Sequence, residues 1–150
     1  MLLQNKTAVI TGCNRGIGKK ILEVFSANGA TIFACVRNIS EEFQTLIDEL
    51  KKKYNNQIIP IQFDLNNESQ IKEAASNILS SNMSIDILIN NAAAIHTALF
   101  QMTSIKKLKE VFEIDFFSQT FFTQYILKSM IKKKKWKYFT YFIKCSVRWK

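Results

Sequence analysis

A chain of 150 residues with 47% hydrophobic content can enclose one substantial apolar core, which predicts a single soluble domain and excludes a disordered or fibrous chain. No apolar run approaches the roughly 20 residues that span a bilayer, and Met1 to Gln4 has no signal-peptide pattern, so the expected location is the cytoplasm. The formal charge of +9 would suit a nucleic-acid or anionic-membrane binder, but nine of the 21 basic residues lie from Lys128 onward and the others balance the 12 acidic ones, so neither partner is expected.

Short apolar, β-branched runs at Thr7–Thr11, Thr31–Val36, 58–63 and 85–90 alternate with amphipathic stretches, which predicts βαβ units and a parallel sheet with buried strands. The first helix runs from Gly16 to about residue 28, with Gly29 as its left-handed stop. Ser40 caps the second, whose Phe43, Leu46, Ile47 and Leu50 share one face. Asn67 and Gln70 have the spacing of a capping box before a third stripe of Ile71, Ala75, Ile78 and Leu79. A fourth, long helix over about 104–135 is apolar nearly all round, with Val111, Phe112, Ile114, Phe116, Phe117, Phe121 and Phe122, so one face can cover the sheet and the other needs a partner subunit.

Two composition shifts set bounds on this plan. Cys13, Cys35 and Cys145 are odd in number and lack close Cys or His spacing, so free thiols are expected and no metal site. Gly12, Gly16, Gly18 and Gly29 are the only glycines; a complete α/β enzyme would need more turns beyond Gly29.

The first strand leads into Thr11-Gly12-Cys13-Asn14-Arg15-Gly16-Ile17-Gly18 and then a helix. Glycines there let the backbone approach a pyrophosphate, and the helix start offers unpaired N–H groups and a positive dipole end. Asp64-Leu65 follows the third strand and Asn90-Asn91-Ala92-Ala93 the fourth. All three motifs fall at carboxyl ends of strands, where an open parallel sheet binds its ligand.

The T-G-x-x-x-G-x-G spacing, with the two later motifs in register, resembles the short-chain dehydrogenase/reductase family, and most nearly its 3-oxoacyl-acyl-carrier-protein reductases. The resemblance covers residues 1–135 and implies a Rossmann-type three-layer α/β/α sandwich with strand order 3-2-1-4. It further implies hydride transfer between a nicotinamide cofactor and a small-molecule carbonyl or secondary alcohol, in a homo-oligomer joined through the long fourth helix. The cofactor contacts implied are Gly12, Asn14, Arg15, Gly16, Ile17, Gly18, Arg37, Asn38, Asp64, Leu65, Asn91, Ala92 and Ala93, with Ala93 in the place of the family's glycine. Where an acidic residue would receive the ribose hydroxyls of NAD, this chain has Arg37; with Arg15 it can pair a 2′-phosphate, so NADP(H) is preferred over NAD(H).

The family's active site holds an asparagine in the fourth long helix, a serine after a fifth strand and a Tyr-x-x-x-Lys pair. Asp115 stands at the asparagine position, within Val111-Phe112-Glu113-Ile114-Asp115-Phe116. It shares a helical face with Leu108, Val111 and Phe112, and is expected to point inward. None of Tyr54, Tyr125, Tyr138 and Tyr141 has lysine four residues on, so the acid/base position has no occupant. His96, the one histidine, is expected on the substrate side or in solvent.

Trp136 to Lys150 is an abrupt basic, aromatic stretch. It reads as a membrane-surface or nucleic-acid arm, as a fifth strand, or as sequence translated in a shifted frame. Taking the last two bases of each codon with the first of the next, from Lys135, permits N-G-N-I-L-H-I-S-S-S-A, in which the glycine is forced by the Trp136/Lys137 junction. That resembles the family's fifth strand and its serine, so a frameshift near residues 132–135 is favoured and the intact enzyme is expected to continue differently. The alternative is a non-catalytic nucleotide-binding or interaction protein that uses the basic aromatic tail.

Overall fold

The computed structural model describes residues 1–131; the readings placed on 132–150, including the end of the long helix, lie outside the described residues. Four parallel strands, β1 (Thr7–Thr11), β2 (Thr31–Val36), β3 (Ile58–Gln62) and β4 (Ile87–Ile89), form one sheet in the order β3-β2-β1-β4. The register pairs Thr7 with Thr31, Ile32 with Ile58 and Ala8 with Ile87. At the bottom of the sheet, Asp86 accepts from Thr7 N at 3.0 Å and from Lys6 Nζ at 3.1 Å, fixing where β4 starts against β1.

Alternation along the strands divides the interior in two. Ala8, Ile10, Ile32, Ala34 and Val36 pack with Leu22 of α1 (Gly16–Ala27) and with Phe43, Ile47 and Leu50 of α2 (Glu41–Tyr54). Val9, Phe33, Cys35 and Leu88 face the other way, onto Ile71, Ala75 and Ile78 of α3 (Glu68–Ser80) and the long helical path beside it. This is the expected three-layer sandwich, because successive strand residues point to opposite faces. The two buried thiols are divided in the same way, Cys13 in the first core and Cys35 in the second. Burial pushes both thiols upward, and the inert thiol form is favoured.

The local signals act as read. Ser40 Oγ accepts from Phe43 N at 3.2 Å, Asn67 Oδ1 accepts from Ser69 N at 3.1 Å and Gln70 N at 3.2 Å, and Gly29 has φ +83°. Gln70 does not close a capping box: its Oε1 accepts from Asp64 N at 2.9 Å and so ties the third helix to the turn after β3. Two strands are shorter than expected. β4 keeps three residues, and β3, at the edge of the sheet, buries Ile58 but leaves Ile59 to Ile61 half-buried and Gln62 exposed.

The fourth helix is not uniform. It begins as α4 (Ile105–Phe112), widens into a π turn (Glu113–Ser118) and continues as α5 (Gln119–Ile131). Val111, Ser118, Gln119, Phe122, Ile126 and Met130 are buried. Phe112, expected on the inner face with Asp115, is 58% exposed, since the π turn adds residues to the circuit and breaks the 3.6-residue phase.

Candidate cofactor site

β1 ends in Thr11, whose hydroxyl accepts from Asn91 N at 2.9 Å and Ala92 N at 3.0 Å. Asn91 Nδ2 returns the contact, donating to Thr11 O at 3.0 Å and Gly12 O at 3.1 Å. The glycine loop and the 90–94 loop are therefore one hydrogen-bonded unit across the ends of β1 and β4. Two glycines are required by that packing: a Cβ on Gly12 would come within 2.9 Å of Ala92 Cα, and one on Gly18 would overlap Gly12 O and Asn91 Nδ2. Gly16 is different, with open space around it and φ +54°; it serves the turn itself.

α1 starts at this loop without a side-chain cap, whereas Ser40, Asn67 and Ser104 cap α2, α3 and α4. Its first N–H groups and dipole end therefore carry no side-chain partner, an arrangement suited to an anion. Asn14, Arg15, Gly16 and Ile17 around this opening are exposed. Arg37 and Asn38 project, also exposed, from the end of β2 next to it. No acidic residue lies between Val36 and Ser40. Beyond β3, Asp64 Oδ1 accepts from Asn66 N at 2.9 Å, which closes the turn, while Leu65 is buried in the second core. Leu65 thus shapes the floor with its packing.

The 90–94 loop is held from the other side by the helix. Asn90 Nδ2 donates to Thr123 Oγ1 at 2.7 Å, Gln119 Nε2 donates to Ala92 O, and Asp115 Oδ1 accepts from Ala94 N at 2.7 Å. Burial raises the Asp115 carboxyl above its ordinary value, and the Ala94 N–H partly offsets this. Ala93 has no positive φ, so the glycine it replaces is not needed for backbone freedom at that position. His96 follows in the same loop, half-buried.

Of the residues expected at the cofactor, the structure sets Gly12, Asn14, Arg15, Gly16, Ile17 and Gly18 after β1, Arg37 and Asn38 after β2, Asp64 and Leu65 after β3, and Asn91, Ala92 and Ala93 after β4, at the carboxyl ends of neighbouring strands. Sequence reasoning missed Gln119 and Thr123. The available signal was that polar Asp115, Gln119 and Thr123 recur every four residues in an otherwise phenylalanine-rich helix.

The comparisons with known proteins agree on one class. The description "short chain dehydrogenase" matches residues 6–136, and the chain belongs to that family. It is 33% identical over 136 residues to dehydrogenase/reductase SDR family member 7B of Danio rerio, covering 87% of this chain and 44% of that protein. It is 30% identical over 132 residues to a 3-oxoacyl-[acyl-carrier-protein] reductase of Aquifex aeolicus, covering 88% of this chain and 53% of that one. The chain thus spans about half the length of these relatives. The fold matches L-sorbose reductase from Gluconobacter frateurii, solved with NADPH and L-sorbose, at a TM-score of 0.84 and 23% identity, over 93% of this chain and 53% of that one.

Proposed function

We propose that residues 1–135 are the NADP(H)-binding part of a short-chain reductase, with NADP(H) favoured over NAD(H). The observation that carries this reading is the uncapped start of α1 behind Gly12, Gly16 and Gly18, flanked by the exposed Arg15 and Arg37. The backbone there fits a pyrophosphate and the two guanidiniums fit a 2′-phosphate; Asp64 lies where the adenine ring would rest. Solved relatives with NADP or NADPH, such as a Burkholderia cenocepacia short chain dehydrogenase, support the cofactor class. Calorimetric titration tests the preference. Arg37→Asp should weaken NADPH by about tenfold or more, from loss of a charge-assisted bond and added repulsion, and bring NADH to parity or better. An unchanged preference removes Arg37 from the site.

Bound there, the cofactor would supply a hydride to a carbonyl carbon, and the substrate of the intact enzyme is a small ketone or a 3-oxoacyl thioester. Hydride addition leaves negative charge on oxygen, which requires a positioned proton donor. Asp115 Oδ1 is already engaged by Ala94 N, and the sequence has no Tyr-x-x-x-Lys. The 150-residue chain should therefore bind NADPH weakly and show no measurable reduction of acetoacetyl or other small ketone substrates. Turnover abolished by His96→Ala or Asp115→Ala would overturn this.

Residues 136–150 are then the product of a shifted frame, and the intact form is a cytoplasmic homo-oligomer joined through α4 and α5. The nucleotide sequence across residues 128–150 is decisive: a shifted frame that fails to continue into Tyr-x-x-x-Lys sinks the idea. Among the described residues, no helix is long and apolar enough to cross a membrane.

A further inference from the structure

Asp115, Gln119 and Thr123 lie four residues apart along the helical path, and they meet Ala94, Ala92 and Asn90, two residues apart in the loop that runs the opposite way. Every fourth residue of the helical path thus pairs with every second residue of the loop, so the two stay in register over the three contacts. We propose that this polar zipper is a positioning device for the nicotinamide half of the cofactor, with Gln119 as its central positioning residue. The inference rests on the NADP(H) reading above.

Three observations carry it. First, the zipper is a poor choice for stability alone. Asp115 Oδ2, Gln119 Oε1 and Asn90 Oδ1 are buried with no hydrogen-bond partner among the described residues, while one arm of each side chain is used. Apolar side chains would avoid those unpaired acceptors, but would take away the helix partners of Ala94 N and Ala92 O. What the polar stripe adds is a fixed register between loop and helix. Second, the held loop is the same one that clamps the phosphate loop through Thr11 and Asn91, so its position is transmitted to the ligand rim. Third, the sheet order sets which half of the ligand it faces. Arg37 and Asp64 end strands on the β2 and β3 side of β1, while the loop follows β4 on the opposite side. A dinucleotide laid across β1 with its adenosine over β2 and β3 places its other half against residues 92–94.

The test uses the full chain and two ligands, NADPH and 2′,5′-ADP, which carries the adenosine half alone. Gln119→Leu should weaken NADPH by about tenfold and leave 2′,5′-ADP within about twofold, since one bond to the loop is lost. Gln119→Glu keeps the shape but cannot donate to Ala92 O, and should act in the same direction. In the ligand-free protein, Gln119→Leu should speed hydrogen exchange at the Ala94 amide by about tenfold, because loss of the central contact loosens the end. Equal weakening of both ligands, or Ala94 exchange unchanged by Gln119→Leu, overturns the zipper. Failure of the wild-type chain to bind 2′,5′-ADP overturns the NADP(H) reading instead, and Ala94 exchange then decides the zipper by itself.

Discussion

Asp115 couples the titration of one carboxyl to folding. Its carboxyl is raised chiefly by burial above the ordinary value of 3.8, with the Ala94 N–H acting the other way. The folded chain therefore holds this proton more tightly than the unfolded chain does. Below the ordinary carboxylate range both states are protonated and nothing is lost. As pH rises through that range the unfolded chain ionises first, so stability falls until the folded carboxyl has also ionised, and is then level. Asp115→Asn should remove this loss while keeping an acceptor for Ala94 N. The variant should melt higher than wild type near pH 7, with the difference shrinking as pH falls and vanishing below the ordinary carboxylate range. A gap that stays constant across that range would mean that the carboxyl does not titrate with folding. The inward position of Asp115 was legible from its apolar neighbours, but its partner was not, because a loop amide 21 residues earlier leaves no local sequence pattern.

At the scale of elements, the contrast among helix starts has a measurable consequence. α2 and α3 begin on Ser40 and Asn67, and each cap satisfies N–H groups that would otherwise face water. α1 begins on Arg15, extended at φ −155° and without a capping bond. Arg15→Ser places a capping side chain on backbone already suited to it. The expected result is roughly 0.5–1 kcal/mol of added stability in urea titrations, together with weaker NADPH binding from loss of the guanidinium. If stability and affinity both fall, Arg15 holds the loop by some other means. These elements were readable because capping residues, β-branched runs and 3.6-residue stripes are local. The π turn over Glu113–Ser118 was not, since the apolar pattern of the sequence runs on through those six residues. The exposure of β3 follows from strand order, a property of the sheet and not of its own five residues.

For the molecule as a whole, the two cores bury both faces of the sheet, yet the outer side of the fourth helical path carries several exposed large apolar residues among its polar ones. Ile105, Phe112, Phe117 and Ile131 are each more than half exposed, although Lys109, Thr120, Gln124 and Lys128 are exposed between them, and that many large apolar groups on one helical path favours association. Self-association or poor solubility is expected, with light scattering that rises with concentration; Phe112→Lys combined with Phe117→Glu should reduce it. A chain that stays monomeric at high concentration with both phenylalanines intact would refute this. The phenylalanine richness was plain in the sequence, but which rings turn outward depended on the phase shift at residues 113–118.

The division of the two buried thiols between the layers makes them a pair of internal timers. A thiol-specific reagent can reach Cys13 only when the first core opens, and Cys35 only when the second does. In a Cys145→Ser background their modification rates separate the opening of one side of the sheet from that of the other. Because Cys13 lies inside the glycine loop, a bound dinucleotide would slow its clock selectively, and occupancy could be followed without any turnover at all.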